Sequence, residues 1–82
     1  MWFVYILRCA DNSFYIGIST DIEKRIQKHN LGTASKYTKA RVPVKLVYFE
    51  RYPDKSAALK RERQLKKLPR SKKEALIILR PS

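Results

Sequence analysis

Apolar and aromatic side chains fill the start of the chain almost without interruption, a pattern typical of a strand that is covered on both faces. The run extends from Trp2 to Cys9 and is rich in ring-bearing and β-branched residues. The polar segment ADNS at residues 10–13 is typical of a turn, and FYIGIS at residues 14–19 resumes the strand pattern. The first part of the chain is therefore predicted to form a hairpin.

A helix is predicted to follow the hairpin, because TDIE at residues 20–23 is a capping box in which the threonine caps the helix and the glutamate reaches back. The helix is expected to end near Asn30, before Gly32, since glycine favours a helix C-terminus. Residues 31–41, LGTASKYTKAR, mix small, polar and basic side chains without a clear period. They are predicted to form an exposed loop.

The second half of the chain predicts one strand and two helices. VPVKLVYFERY at residues 42–52 places apolar groups on both faces of a strand, with Pro43 at its start, where a missing donor is tolerated. Asp54 is expected to cap a helix that runs to about Leu68. A second capping box, SKKE at residues 71–74, favours a helix over a strand for the apolar run ALIIL that follows.

The resulting order of elements is β-β-α-β-α-α. It predicts an α+β fold with a small three-stranded antiparallel or mixed sheet flanked by helices. The 82 residues show no repeat and no linker, and a chain of this length supports only one modest core. Residues 1–82 are therefore expected to form a single domain.

The charge of the chain is strongly positive and points to a polyanionic partner. Nineteen Lys and Arg residues against seven Asp and Glu give a net charge of +12, far more than solubility requires. Hydrophobic residues at 44% argue against disorder, so the charge belongs to a folded protein. Nucleic acid is the expected partner.

Cysteine and histidine are too few for several kinds of site. With Cys9 and His29 as the only residues of their types, the chain forms no internal disulfide and no Cys/His structural zinc site. The apolar run Trp2–Leu7 is too short for a membrane span and lacks the basic residues that precede a signal peptide core. A cytoplasmic protein with no membrane partner is expected.

Two polar side chains are expected along the rim of the buried face of the first helix. Ile22 and Ile26 form its apolar stripe, and Arg25 and His29, also four residues apart, lie beside that stripe in helical projection. Taken alone, Arg25 is more simply interpreted as a cation that reaches solvent. His29 alone is more simply interpreted as a residue that the helix dipole favours at the C-terminus.

A lone carboxylate is placed on the buried side of the next helix. Glu62 falls between Ala58 and Leu65, which define the inward stripe. An unpaired buried carboxylate is costly, so Glu62 needs either a metal ion or a protein cation such as Arg25. Without further evidence the salt bridge is the simpler interpretation.

The two strands of the hairpin each carry a tyrosine that alternation can place near these groups. If Tyr5 and Tyr15 lie on one face, their phenols can converge with the polar residues of the two helices at one end of the sheet. A phenol beside a bound cation can ionise below its reference pKa of about 10 and act as a base. The alternative is that both are ordinary strand aromatics with hydroxyls at the surface.

At this point the sequence resembles a known family. FVYIL followed by YIG, then ISTDIEKRIQKH and later ALKRERQ, are similar to the GIY-YIG nucleases, and specifically to their small single-domain UPF0213-type members, from Trp2 to about Ile78. The resemblance implies a three-stranded sheet between helices. It also implies that the catalytic residues are Tyr5, Tyr15, Arg25, His29 and Glu62.

The resemblance implies metal-dependent hydrolysis of a DNA phosphodiester bond. Glu62 would hold a single Mg²⁺ or Mn²⁺, and Tyr5 or Tyr15 would position or deprotonate the attacking water. Arg25 would stabilise charge in the transition state, and His29 would orient a tyrosine or share the proton transfer. The sequence leaves open which tyrosine is the base.

Two departures from the family pattern accompany this resemblance. FVY stands where the family name has Gly-Ile-Tyr, so only the tyrosine is retained. Many members also carry an Asn near the C-terminal end of the domain, and none follows Asn30 here, which leaves catalytic efficiency open. Gly17 in the YIG motif is retained and is expected to let backbone or substrate approach closely.

The basic segment at residues 31–41 is the expected DNA contact. Its cations interleave with one aromatic ring, a mixture that suits phosphate contact and base stacking; the alternative is a solvated loop. No base-reading motif is present, so weak sequence specificity and strong salt dependence are expected. The candidate nucleic-acid-binding residues are Lys36, Tyr37, Lys39 and Arg41.

Three functional hypotheses follow. The first is a structure-directed or weakly sequence-specific DNA endonuclease in repair or processing, with a protein partner that supplies substrate targeting. The second is a catalytically weak, basic nucleic-acid-binding module on the same fold. The third is a basic adaptor whose hairpin edge docks a protein. A hydrolase that uses Cys9 and His29 is disfavoured, because nothing near Cys9 supplies an orienting third group.

Overall fold

A three-stranded antiparallel sheet with helices on both faces forms the centre of the computed structural model, which describes residues 1–79. The predicted order of elements is confirmed, with one short helix added. The elements are β1 (Trp2–Arg8), β2 (Phe14–Ser19), α1 (Ile22–Asn30), α2 (Lys36–Lys39), β3 (Lys45–Tyr52), α3 (Lys55–Lys67) and α4 (Arg70–Leu79). Within residues 1–79, no helix combines the length and the apolar character needed to cross a membrane.

The register of the hairpin places both of its tyrosines on one face of the sheet. The strand order is β2-β1-β3, so β1 is central and β2 and β3 are edges. Tyr5 lies opposite Gly17, and Leu7 lies opposite Tyr15, and residues two apart in a strand share a face. The turn is completed by Asn12, whose φ of 69° is one that asparagine tolerates.

Each face of the sheet has its own core. The face that carries Tyr5 packs on α1 through Ile22 and Ile26, as the helical stripe predicted. The opposite face packs on α3 and α4. The buried residues of this second core are Val4, Ile6, Ile16, Val47, Ala58 and Leu65.

Two predicted helix caps are wrong, the first by one position and the second by two. Asp21, not Thr20, caps α1, because its charged carboxylate accepts a hydrogen bond from the backbone N–H of Lys24 at 3.1 Å. The helix α4 begins at Arg70, so Ser71 lies inside it. Proline is favoured at a helix start, and the carbonyl of Pro69 already accepts the backbone N–H groups that a serine cap was expected to serve.

The caps that end α1 and begin α3 are confirmed. Gly32 follows the last turn of α1 with a φ of 78°, in the left-handed region that glycine adopts freely. The carboxylate of Asp54 accepts the backbone N–H of Ala57 at 2.8 Å, and α3 then runs to Lys67. The third strand begins at Lys45, three residues later than predicted, and Pro43 therefore lies outside it.

The prediction of an exposed loop at residues 31–41 is wrong in one respect. Within this segment α2 forms a single turn of helix whose N-cap is Ser35. Its residue Thr38 is fully buried against α1, because its hydroxyl bonds to His29. A four-residue helix is too short to produce a recognisable period in the sequence.

Candidate active site

Three fully buried polar side chains form a line of hydrogen bonds beneath α1 and α2. The hydroxyl of Tyr5 lies 3.0 Å from Nε2 of His29, and Nδ1 of His29 lies 2.7 Å from Oγ1 of Thr38. The exposed fractions of these three residues are 1% or less. Since buried polar groups are stable only when paired, each of the three holds the next in place.

The direction of these hydrogen bonds follows from the outermost one. The Thr38 hydroxyl donates to the carbonyl of Ser35, so its oxygen is left to accept from Nδ1–H of His29. A neutral imidazole carries one proton, and Nε2 must then accept the hydroxyl proton of Tyr5. The network therefore assigns the Nδ1–H tautomer to His29 and leaves the Tyr5 oxygen free to accept from the opposite side.

The titration behaviour of the two central groups agrees with this assignment. Burial, and secondarily the nearby Arg25 cation, lowers the pKa of His29, so the imidazole is neutral at neutral pH. Burial raises the pKa of Tyr5 to about 12, although Arg25 opposes this increase. Within the protein alone, Tyr5 therefore releases its proton less readily than an ordinary phenol.

Gly17 provides the space that the Tyr5 ring occupies. A Cβ atom at position 17 would lie 2.6 Å from the Tyr5 hydroxyl oxygen and 2.8 Å from its Cζ. The close approach expected at this glycine is therefore made by the phenol of the paired strand rather than by backbone. The glycine of the YIG motif thus determines where the Tyr5 ring can lie.

The two charged residues predicted for the site remain incompletely paired. The Nε atom of Arg25 is buried without a hydrogen-bond partner among the described residues. Glu62 forms an ion pair with Lys66 at 3.5 Å, rather than the alternative pair with Arg25 that the sequence left open. Both charges lie close enough to Tyr5 to change its pKa, Arg25 lowering it and Glu62 raising it.

Tyr15 lies closer to solvent than Tyr5. Tyr15 is half-buried, and its ring centroid is 5.0 Å from that of His29 and 6.5 Å from that of Tyr5. Its other neighbour is Tyr37 of α2, whose ring lies at 6.1 Å in a stacked orientation. Tyr15 therefore connects the buried hydrogen-bonded line to the surface.

The candidate DNA-binding residues differ in how far their side chains are engaged within the protein. Arg41 is engaged within the protein: its guanidinium lies 4.0 Å from the centroid of the Tyr37 ring, and its Nε is 2.9 Å from a carboxylate oxygen of Asp11. The side chains of Lys36 and Lys39 are both exposed, so both can reach a phosphate. Tyr37 retains 39% exposure and stands between the two groups.

Thr38 and one further polar cluster were missed by the sequence reasoning. Thr38 was overlooked because its segment was interpreted as a loop. In the second cluster, on the α3 face, a single carboxylate meets two phenols that share its side of β3 and one cation eleven residues away on α3. Strand alternation could have indicated the two phenols, but not the cation. The cluster consists of Glu50, Arg61, Tyr48 and Tyr52.

Comparison with known proteins connects this geometry to a family. Residues 1–75 match the family model described as the GIY-YIG catalytic domain. The chain belongs to the GIY-YIG family. This is a family of nucleases, and the resemblance on which the five site residues were assigned is thereby confirmed at the level of the family.

Relatives within the GIY-YIG family carry the UPF0213 name. A UPF0213 protein of Staphylococcus aureus is 53% identical over 75 residues, which are 92% of each chain. One from Natronomonas pharaonis is 48% identical over 75 residues, covering 92% of this chain and 88% of the relative. The chain therefore groups with the small members of the family.

Two solution NMR structures share the fold. The UPF0213 protein of Bacillus halodurans is 44% identical, with a TM-score of 0.63 over 98% of this chain and 86% of that chain. A protein from E. faecalis is 40% identical, with a TM-score of 0.61 over 92% of this chain and 80% of that chain. The sheet and its helices are thus those of solved UPF0213 structures.

Proposed function

We propose that this GIY-YIG protein is a metal-dependent endonuclease that hydrolyses DNA phosphodiester bonds with little sequence specificity. The observation that carries the proposal is the packing of Tyr15 and His29 around the buried phenol of Tyr5, with the charges of Arg25 and Glu62 near enough to change the pKa of that phenol. These are the same five positions at which the sequence is similar to the family's catalytic residues. The net charge of +12 supports a polyanionic substrate.

The residues present fit a single divalent cation. Glu62 is the carboxylate that would hold Mg²⁺ or Mn²⁺: its side chain is 16% exposed, and its ion-pair partner Lys66 is 56% exposed and free to move aside. Residues 1–79 contain no group of three or more His, Cys, Asp or Glu side chains that could enclose a metal. One carboxylate is sufficient for Mg²⁺, which usually retains waters and takes its other ligands from substrate phosphates.

The cation, when bound, would neutralise charge on the phosphate that is attacked. Arg25 has a buried Nε without a partner, and it would donate to the phosphate oxygens as negative charge develops on them. Tyr15 is the phenol that a water molecule can reach, so it would orient that water and, once ionised through the influence of the bound cation, would accept its proton. Tyr5 is 1% exposed and donates its own proton inward, so we assign it a positioning role.

Thr38 and His29 would fix the position of the Tyr5 hydroxyl within the site. Thr38 fixes the tautomer of His29, and His29 in turn fixes the hydroxyl of Tyr5 against Arg25. A catalytic group that is displaced by about 1 Å loses much of its effect, so positioning of this kind contributes to rate. We infer that Thr38 acts as a positioning residue through His29.

Cleavage of a labelled panel tests the proposal. The panel comprises single-stranded, duplex, flap and branched DNA and one RNA, each with and without Mg²⁺ or Mn²⁺. Wild type is compared with Glu62→Gln, Tyr15→Phe and the matched control Glu74→Gln, which changes an exposed carboxylate paired with Arg70 on α4. Metal-dependent products that disappear in the first two variants and persist in the control are expected.

A different result would favour the second candidate function. If wild type binds the panel without cutting it, and the variants bind equally well, the protein is a basic nucleic-acid-binding module. The net charge of +12 and the exposed side chains of Lys36 and Lys39 are the observations in favour of that alternative, since both attract DNA without any catalytic step.

A further inference from the structure

A small pocket lies at the open edge of β2, beside the residues proposed for catalysis. Its volume is about 210 Å³. Walls come from both sides of the sheet, because α2 contributes one residue and α3 and α4 contribute one each. The lining residues are Phe14, Tyr15, Ile16, Tyr37, Lys66 and Lys73.

The pocket adjoins the site proposed for catalysis at two points. Tyr15 belongs to both: one neighbour of its ring is His29, and another is Tyr37 in the pocket wall. Lys66 also belongs to both, since its Nζ lies 3.5 Å from the carboxylate of Glu62. A molecule held in the pocket would therefore lie beside the phosphate that the site would attack.

The chemistry of the lining selects a ligand with a flat ring and a negative charge. Three aromatic rings line the pocket; Arg41 lies over part of Tyr37 and Arg70 over part of Phe14, and the exposed remainder of these rings is what a base would stack on. Such stacking tolerates any base because every base has a π face. Lys66 and Lys73 add positive charge at the rim, and Arg70 lies 4.4 Å from the Phe14 ring centroid. This combination matches a nucleotide, in which a base and a phosphate are joined.

We propose that the pocket binds one unpaired nucleotide of a DNA strand next to the bond to be cut. The substrate class is then DNA with a single-stranded segment. The inference rests on the proposed nuclease function and specifies its substrate. A volume of about 210 Å³ is below that of sites for drug-sized ligands and suits one ring system rather than a base pair.

Binding of a fluorescent base in the absence of divalent metal tests the proposal. The probe is a DNA oligonucleotide with 2-aminopurine at an unpaired position, single-stranded or in a flap, compared with the same base inside a duplex at the same salt. The full chain is expected to quench the unpaired probe and to bind it at least about tenfold more tightly than the duplex. Equal affinity for the duplex would overturn the proposal.

Two pairs of variants separate the pocket from general attraction to DNA. Tyr37→Leu is expected to lose the quenching and to weaken binding about tenfold, whereas Tyr37→Phe keeps the ring and behaves as wild type. Lys73→Gln is expected to weaken binding more than Lys60→Gln, which removes an equal charge from the opposite, exposed face of α3. Quenching that survives Tyr37→Leu, or equal effects of the two lysine changes, contradicts the pocket assignment.

The outcomes for the pocket and for catalysis are separable. Binding and quenching are measured without metal, so they do not depend on cleavage, and circular dichroism confirms that each variant is folded. If the unpaired probe is quenched as expected but the panel is never cut, the pocket assignment stands and the nuclease proposal fails. If the panel is cut while duplex and unpaired probes bind alike, the nuclease proposal stands and the pocket assignment fails.

Discussion

Two polar clusters flank the sheet, one on each face, and they differ in how completely they are paired. On the α3 face, the Glu50 carboxylate accepts from two nitrogens of Arg61, at 2.8 and 3.1 Å, and from the hydroxyls of Tyr48 and Tyr52. Burial alone would raise the pKa of Glu50, but Arg61 and the two phenols outweigh burial and lower it. This cluster satisfies its own charges.

The cluster around Tyr5, to which α3 contributes the charge of Glu62, leaves charge unsatisfied. Its neutral members, Tyr5, His29 and Thr38, are fully paired, but the Nε of Arg25 has no partner among the described residues. Glu62 meets only the long contact to Lys66 within this part of the chain. A cluster whose charges are all paired, here called closed, stabilises the fold. A cluster that keeps unpaired charge, here called open, retains that charge for a ligand.

The largest expected effect separates the two carboxylates. Glu62→Gln is expected to reduce cleavage about a hundredfold or more, because a charge that the transition state needs is lost, and to change the free energy of unfolding by less than about 0.5 kcal/mol. Glu50→Gln is expected to leave cleavage nearly unchanged and to lower the free energy of unfolding by about 2 kcal/mol, since it breaks charge-assisted hydrogen bonds. Cleavage rates and urea unfolding of both variants check this, and a shared phenotype would remove the distinction between the clusters.

Gly17→Ala is expected to disturb the open cluster by displacing its central phenol. The new Cβ would lie 2.6 Å from the Tyr5 hydroxyl, which cannot retreat without breaking its bond to His29. Overpacking of this kind costs about 1–3 kcal/mol, and the cleavage rate should fall as well. Thermal unfolding measures the cost. The same change in a Tyr5→Phe background, where the oxygen and its bond to His29 are absent, should cost less; an equal cost would assign the strain to the ring carbon Cζ, 2.8 Å from the new Cβ.

Thr38→Val tests whether the missed residue supports the site. The substitution leaves Nδ1–H of His29 buried without an acceptor, so a loss of about 1 kcal/mol in stability and a several-fold loss of cleavage are expected. ¹⁵N NMR of His29 should show that the Nδ1–H tautomer is no longer dominant. Thr38→Ser should restore both, and an unchanged tautomer in Thr38→Val would disprove the assigned direction.

The smallest expected effect is a difference in the pH at which each cluster loses stability. His29 has a lowered pKa in the folded state, so its contribution is present above the reference value of 6.5 and is lost as the pH falls below it. Glu50, whose pKa is also lowered, loses its contribution only as the pH falls below 4.5. Urea unfolding between pH 7 and 5 should show a decline in wild type.

His29 is the only histidine in the chain, so His29→Gln is the control for this pH dependence. In His29→Gln the decline between pH 7 and 5 should disappear, while the loss at more acidic pH remains. A decline that persists unchanged in His29→Gln would mean that another group titrates in this range.

Local patterns were sufficient for most of the fold. The continuous apolar run of β1, the polar turn after it and the strand pattern of β2 indicated the hairpin, and the spacing of Ala58 and Leu65 indicated the buried face of α3, because these signals depend on neighbours along one element. The capping predictions were less accurate, since several candidate caps stand side by side and the tertiary context selects among them. The five site positions were assigned from the resemblance, and the register of β1 and β2 then brought the two tyrosines onto one face.

The pairing of the polar groups was decided by the tertiary structure alone. Nothing in the sequence indicated that Thr38 would hold His29, that Glu50 would close on Arg61, or that Gly17 would receive the Tyr5 ring. The sequence determined which chemical groups are available and which strand or helix carries them. Which groups meet depends on how those elements pack, because a hydrogen bond is formed or lost over less than 1 Å, and no local sequence signal reaches that precision.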